Sequence, residues 1–294
     1  MDRHRVAPAK VNLYLHVGAV APDGYHPISS LMTFATVGDV VALEPAVGPS
    51  FAVTGPFAGA LAEEDAGANL VERAHHLLAV AFPGRVPPLK LMLDKRLPIA
   101  AGLGGGSSDA AATLTLLAEA FELDDRAALA AIARELGADV TACMAARPVI
   151  ARGRGDEVSD PPPFPETDAV LVNPLVPSAT GPVYRAFDAA PHNPAADDAA
   201  WPPSISDAGA LAVFLARCRN DLEAPAISLQ PAIGVVLDDL KHRPQTLIAR
   251  MSGSGATCFA LCADAGRAAV LAAEVGADHP GWWVRACRFA GVRP

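Results

Sequence analysis

Pro98-Ile99-Ala100-Ala101-Gly102-Leu103-Gly104-Gly105-Gly106-Ser107-Ser108-Asp109 is the stretch on which the reading of this chain turns. Ahead of it, Leu89 to Leu93 is a short apolar run bounded by breakers, which predicts a strand. Behind it, Ala110, Leu114, Leu117 and Phe121 recur with the spacing of one helix face. A turn between strand and helix that carries almost no side chains lets several backbone N–H groups approach an anion closely. The helix adds its positive N-terminal end, and Ser107 and Ser108 add hydroxyl donors, so the ligand expected there is a phosphate. No Lys-Ser or Lys-Thr follows the glycines, and Ser107 stands where a dinucleotide fingerprint beginning at Gly102 needs its third glycine, so neither of those loops is present. On pattern alone, a flexible turn with serine caps is an equal alternative.

The whole composition sets the bounds around this loop. A chain of 294 residues is one large domain or two ordinary ones. With 51% hydrophobic and 19% charged residues it has material for a core, and the formal net charge of −9 argues against affinity built on neutralising nucleic-acid phosphates. The cysteines number 5 and only Cys258 and Cys262 lie close together, with no second pair to complete a zinc site. They are expected as small buried hydrophobes in a reducing cytoplasm. Basic residues through Lys10 precede an apolar run that loosely mimics a secretory signal. However, Val11, Leu13, Leu15 and Val17 alternate with Asn12, Tyr14 and His16 as in a half-buried strand. No uncharged run reaches the ~18 residues of a membrane span, so a soluble protein without a membrane partner is expected.

Further along, Val40 to Leu43 predicts another strand, and Asp124 or Asp125 caps a helix whose stripe is Leu129, Ile132 and Leu136. Gly137 ends that helix, and a turn is expected at Gly137-Ala138-Asp139. Asp160-Pro161-Pro162-Pro163-Phe164-Pro165 sustains neither helix nor central strand and divides the chain into expected domains 1–157 and 158–294. After it come a strand at Ala169 to Asn173, a long Ala/Pro/Asp-rich surface loop from Asp188 to Pro203, and a helix at Ala208 to Cys218. A strand at Cys258 to Cys262, a helix at Ala265 to Val275 and a final strand at Trp282 to Ala286 complete an α+β chain without internal repeats.

Two other segments carry chemistry. Pro8-Ala9-Lys10-Val11-Asn12-Leu13 places a lysine at the edge of an apolar strand, a costly position without an anionic partner. Asp23-Gly24 is a turn signal leading into Tyr25-His26. Met251-Ser252-Gly253-Ser254-Gly255-Ala256-Thr257-Cys258-Phe259 is either a tight turn or a second glycine loop facing the first. In this order the segments resemble the three motifs of the GHMP kinase superfamily, the most specific being the central Pro-x3-Gly-Leu-Gly-Gly-Gly-Ser-Ser. Asp23-Gly24-Tyr25-His26, Asp94-Lys95-Arg96-Leu97-Pro98, Gly137-Ala138-Asp139-Val140 and Ser252-Gly253-Ser254-Gly255-Ala256 narrow the likeness to the branch that acts on a cytidine diphosphate-linked methylerythritol. The likeness runs from Pro8 to about Leu261 and is sparse between Pro161 and Ala249. It departs at Thr141, where the family continues with proline, and at Asn173-Pro174-Leu175, where the family strand reads His-Pro-Gly.

The resemblance implies a two-domain α+β GHMP kinase fold, with a ribosomal-protein-S5-like β-α-β domain followed by a ferredoxin-like domain. It implies a small-molecule kinase that uses ATP and Mg2+ to phosphorylate the substrate's 2-hydroxyl, in non-mevalonate isoprenoid precursor synthesis. ATP would be bound by Pro98, Ile99, Ala100, Ala101, Gly102, Leu103, Gly104, Gly105, Gly106, Ser107 and Ser108, its triphosphate on the part from Gly102 to Ser108, with Asn69 and Lys95 near the adenine. The reacting hydroxyl would lie between Lys10 and Asp139, Asp139 accepting its proton while Lys10 keeps that carboxylate ionised and stabilises the moving charge. Asn12, Gly253 and Ser254 would join the substrate side, where Tyr25 and Tyr184 sandwich the cytosine and His26 bonds its edge. Without the resemblance, Asp139 reads as the N-cap of a helix from Val140 to Ala146, and the tyrosines as amphipathic packing. The rivals are a homoserine or mevalonate kinase, which needs no cytidine clamp, a non-catalytic metabolite-binding module, and an RNA-binding protein, which the acidic balance disfavours. Neither an oligomeric state nor a protein ligand for the metal is assigned.

Overall fold

The computed structural model describes residues 3–62, 69–191 and 195–292. In chain order its elements are β1 (His4–Val17), β2 (Ile28–Pro45), β3 (Ser50–Thr54), α1 (Ala58–Ala62), α2 (Leu70–Ala81), β4 (Leu89–Asp94), α3 (Gly105–Ala120), α4 (Arg126–Leu136), α5 (Ala138–Ala145) and β5 (Val149–Gly153). They continue with β6 (Glu157–Ser159), β7 (Thr167–Asn173), α6 (Thr180–Asp188), α7 (Ala208–Leu215), α8 (Glu223–Leu229), α9 (Ala232–His242), β8 (Thr246–Met251), β9 (Cys258–Cys262), α10 (Ala265–Asp278) and β10 (Trp283–Phe289). The chain divides into two compact units, one of Met1–Ala9, Gly38–Ile99 and Gly104–Ala146, the other of Lys10–Val37, Ala100–Leu103 and Arg147–Pro294.

In the first unit, β4 pairs in parallel with β3 and antiparallel with the second half of β2, Val40 facing Asp94 and Pro45 facing Leu89. Leu89, Leu91 and Leu93 are buried on one face of β4, as the period of two requires. The face of α3 expected from its spacing is present: Ala110, Leu114 and Leu117 are buried, and α2 packs beside it with Val71, Ala74 and Leu78 inward. Asp125 is the residue that caps α4, accepting the N–H groups of Ala127 and Ala128, both at 3.0 Å. Gly137 ends α4 as expected, but the turn expected at Gly137-Ala138-Asp139 is absent, because α5 already begins at Ala138. Gly137, at φ +154°, is at once the last flank of α4 and the first flank of α5.

In the second unit the strand order β10-β7-β9-β8, antiparallel throughout, is that of a ferredoxin-like sheet. Helices α6, α8, α9 and α10 cover one face, where Val183, Ala226, Leu237 and Leu271 meet Val170, Val172, Cys258 and Ala260. Residues 160–163 carry no regular structure, as the proline run dictates. The stretch expected as a long surface loop begins on the last residue of α6, Asp188, and is otherwise irregular in its described part, but it is tied down. His16 Nδ1 donates to the Asp197 carbonyl at 2.5 Å, Ser29 Oγ to Asp198 at 2.8 Å, and Trp201 lies 4.6 Å from the Phe214 ring. His16 and Ser29 lie 181 and 169 positions from their partners in this stretch, which composition could not reveal. All five cysteines are buried, and none is joined in a disulfide. Among the described residues no helix is long and apolar enough to cross a membrane.

Candidate active site

The glycine stretch does lie between β4 and α3. Left-handed backbone at Ala100, Gly102 and Gly104 winds it into the helix, whose first internal bond runs from Ser108 N–H to Gly104 O at 2.8 Å. The N–H groups of Gly105, Gly106 and Ser107 therefore have no acceptor inside the helix, the condition under which a helix start binds an anion. The two expected serine donors differ. Ser108 is buried and gives its hydroxyl proton to Pro8 O at 2.7 Å, so it fastens the helix start to β1 instead of facing a ligand.

Directly behind this helix start sits a charged group that sequence reading only half found. Lys95 is buried, and its ammonium donates to Asp39 at 2.5 Å and Asp109 at 2.9 Å. A Cβ placed on Gly105 would lie 3.0 Å from the Lys95 Nζ, which fixes how closely the loop rests on the cation. Burial works against the lysine's charge, but the carboxylates of Asp109 and Asp39 outweigh it and its pKa is raised. Asp39 also accepts the N–H groups of Arg96 and Leu97, whereas the second oxygen of Asp109 finds no donor among the described residues. Burial and the charge of Asp39 push the Asp109 carboxyl up to about 7, against the pull of Lys95. The lysine expected near the adenine thus spends its side chain beneath the loop. Asn69 is likewise engaged locally, its side chain accepting Val71 N–H at 2.9 Å as the N-cap of α2.

In the second unit the two glycine-rich segments meet. The Ala101 carbonyl accepts Thr257 N–H at 3.0 Å, and Ser252 Oγ donates to Gly102 O at 2.9 Å. Any side chain at Gly102 would come within 2.3 Å of the Ser252 carbonyl, so this approach needs glycine. Lys10 enters through its backbone, donating to Leu103 O at 2.9 Å, and through its ammonium, which donates to Asn12 Oδ1 at 2.8 Å. Asn12 in turn donates its amide to Ser30 Oγ at 2.8 Å and its backbone N–H to Ser252 Oγ at 3.1 Å. Gly253 and Ser254 complete the segment, with Gly253 O accepting from Asn220 at 2.8 Å and Ser254 Oγ 3.0 Å from Thr180 Oγ1.

Asn220 and Ser252 were not among the residues expected at the site. Asn220 holds the second loop by donating to Met251 O and Gly253 O, and the only sequence signal for it is a polar Arg219-Asn220-Asp221 step between apolar helices.

Asp139 belongs to the first unit and lies in the opening turn of α5, one residue inside the helix. Gly137 holds the capping position, so the N-cap reading of Asp139 is incorrect.

Of the three expected clamp residues, His26 and Tyr184 are together, their ring centroids 4.9 Å apart and tilted by 35°. His26 Nδ1–H donates to the Gly18 carbonyl at 2.8 Å, leaving Nε2 to face Asp188 at 3.4 Å. Tyr25 sits on the Asp23-Gly24 turn and is 56% exposed. Leu175, one of the two departures from the family pattern, lies in the left-handed region at φ +57°, which glycine adopts most easily.

The geometry is thus that of a glycine-rich helix start with N–H groups unpaired within the helix in one unit, and a lysine-bearing, double-glycine-loop arrangement in the other. The model of the GHMP kinases N terminal domain matches residues 69–147, and that of the GHMP kinases C terminal domain matches 204–280. A 4-diphosphocytidyl-2-C-methyl-D-erythritol kinase of Caulobacter sp. (strain K31) is 54% identical over 291 residues, 97% of each chain. The crystal structure of a 4-(cytidine 5'-diphospho)-2C-methyl-D-erythritol kinase superposes with a TM-score of 0.75 at 32% identity, covering 98% of this chain and 99% of the other. A homoserine kinase from Cytophaga hutchinsonii shares the fold, with a TM-score of 0.64 over 99% of this chain and 95% of the other, at only 18% identity. Both glycine loops, the lysine strand and the ferredoxin-like sheet are accounted for by one ancestry, and the chain belongs to the GHMP kinases, in the family of 4-diphosphocytidyl-2-C-methyl-D-erythritol kinases.

Proposed function

We propose that this chain transfers the γ-phosphoryl group of ATP to the 2-hydroxyl of 4-diphosphocytidyl-2-C-methyl-D-erythritol, a step of non-mevalonate isoprenoid precursor synthesis. The observation that carries the reading is 54% identity, along 97% of the chain, to a relative named for this reaction. The cradle formed by the N–H groups of Gly105, Gly106 and Ser107 supports it, because phosphoryl transfer is mainly a matter of placing phosphates and stabilising their charge. Homoserine kinase is matched at 18%, a likeness of fold alone.

In the proposed chemistry the 2-hydroxyl oxygen forms a bond to the γ-phosphorus while the bond to the bridging oxygen of ADP breaks. Asp139 takes the hydroxyl proton, and Lys10, steadied by Asn12, stabilises the negative charge on the moving group. Asn69 and Lys95 border the nucleotide site, Gly253 and Ser254 the substrate, and Tyr25, His26 and Tyr184 receive the cytosine. Mg2+ would ride on the nucleotide's phosphates, which need only one or two protein oxygens, and it would neutralise charge there. In this reading the boundary between the two domains falls near residue 157, which is supported by family models that match on either side of it, at 69–147 and 204–280. A reducing cytoplasm suits five cysteines that form no disulfide.

The test is ATP consumption across a panel of alcohols: the cytidine diphosphate-linked methylerythritol, the same polyol phosphate without cytidine, homoserine and mevalonate. Turnover with the first compound alone is the expected result. Turnover of homoserine or mevalonate at a comparable rate would overturn the substrate assignment while leaving the kinase fold untouched.

A further inference from the structure

Arg152-Gly153-Arg154-Gly155-Asp156 has no place in the phosphoryl-transfer scheme, yet its tip reaches the turn that carries Tyr25. Strand β5 pairs with the start of β2 in a register that sets Gly153 opposite Ile28. The tip of the β5–β6 hairpin is thereby brought beside the Asp23-Gly24-Tyr25 turn, 131 positions away in sequence. Gly153 and Gly155, at φ +63° and +97°, flank Arg154, Gly155 N–H donates to Arg152 O at 2.9 Å, and Arg154 N–H donates to Asp156 at 3.2 Å. The backbone under Arg154 is therefore closed on itself before its side chain meets anything.

From this platform the Arg154 guanidinium donates to Asp23 Oδ2 through Nη2 at 2.5 Å and Nε at 3.2 Å. Its central carbon stands 4.1 Å from the centroid of the Tyr25 ring. Asp23 closes the circuit, because its other oxygen accepts the Tyr25 N–H at 3.0 Å. A single carboxylate thus fixes the backbone of Tyr25 and the cation on its ring, and those two bonds hold the Asp23 carboxyl below its ordinary range. His26, the next residue, is anchored separately on the Gly18 carbonyl and the Tyr184 ring. The device acts on Tyr25 alone.

An exposed tyrosine on a turn ordinarily samples several rotamers. This one is 56% exposed and still held at its backbone and on one ring face. A planar guanidinium over one face leaves the opposite face for a flat ligand, and it restricts the ring before that ligand arrives. We propose that Arg154 is a specificity-determining positioning residue, holding Tyr25 ready to stack on the base-bearing end of the substrate. This rests on the reading of Tyr25 as a stacking partner of the cytosine.

The test is steady-state kinetics on Arg154→Ala, Arg154→Lys, Tyr25→Ala and the Arg154→Ala/Tyr25→Ala double variant, varying each substrate in turn. An exposed cation–ring contact corresponds to about a two- to fivefold effect. Arg154→Ala should raise KM for the cytidine substrate by that factor, with kcat and KM for ATP unchanged. Arg154→Lys should behave like Arg154→Ala, since an ammonium keeps the charge and loses the flat face. In the double variant the arginine change should add nothing to the effect of Tyr25→Ala. In the ligand-free protein, NMR of 13C-labelled tyrosine rings should show the Tyr25 resonance moving in Arg154→Ala and staying in place in Tyr184→Phe, where the arginine is intact. Rescue by lysine, or a persisting arginine effect in the Tyr25→Ala background, would mean direct action on the substrate's phosphates and would overturn the proposal while sparing the clamp. If Tyr25→Ala itself leaves the substrate's KM unchanged, the clamp reading fails, and the proposal fails with it for that separately visible reason.

Discussion

Leu175 occupies the left-handed region at φ +57°, with 47% of its surface exposed and its N–H bonded to Asn173 at 2.7 Å. A residue with a Cβ is strained there by about 1–2 kcal/mol, and this side chain has little packing to offset it. Leu175→Gly should therefore stabilise the protein, by about 0.5–1 kcal/mol once the greater freedom of unfolded glycine is deducted. Urea unfolding of the two proteins measures it, and a lower midpoint for the glycine variant would contradict the strain argument. Asp139 gives a sharper test than its sequence context suggested. Asparagine keeps the size of aspartate and one acceptor oxygen, so Asp139→Asn removes the charge with little change of shape. Its turnover should fall by roughly 10²–10⁴ if the carboxylate acts as general base, with the melting temperature nearly constant. Near-normal turnover would remove Asp139 from the chemistry.

The segment joining β4 to α3 owes its shape to the buried Lys95 with Asp39 and Asp109. Removing the cation leaves two carboxylates without compensation, and breaking a buried pair in this way costs about 3–5 kcal/mol, so Lys95→Met should unfold at a much lower urea concentration. Asp109 adds a pH dependence of defined sign. Its folded value of about 7 lies above the ordinary 3.8, so the folded state binds the proton more tightly. The stabilisation it contributes is complete below pH 3.8 and is lost as pH rises through 7. Unfolding midpoints at pH 5 and pH 8 should differ more for the unaltered protein than for Asp109→Asn, and equal differences would show that Asp109 does not titrate there. This group also marks where sequence reading stops. The loop, the face of α3, the Asp125 cap and the stop at Gly137 were legible, because each depends on neighbours within a few residues. The partnership of Lys95 with Asp39 spans 56 positions and has no local signature. Helices α6 and α8 escaped because Pro182 and Pro225 read as breakers. Both prolines fall in the third position of their helices, where the missing N–H would have had no intrahelical acceptor.

Across the molecule, a cation that rides on nucleotide phosphates should be needed for turnover and not for folding. Chelation with EDTA should abolish phosphoryl transfer and leave the melting temperature of the nucleotide-free protein unchanged, whereas a large fall in melting temperature would reveal a structural metal. The ferredoxin-like strand order followed from the family resemblance and not from periodicity, since antiparallel pairing of β10 with β7 or β7 with β9 is decided by contacts remote in sequence. The distribution of the cysteines has a practical consequence of its own. Cys143 is the sole cysteine of the first unit, while Cys218, Cys258, Cys262 and Cys287 belong to the second. Burial raises the thiols of Cys218 and Cys262 to about 11, so little thiolate is available for alkylation in the folded state. Pulses of iodoacetamide followed by peptide mass spectrometry would time the opening of each unit by its own intrinsic clock, without any introduced label.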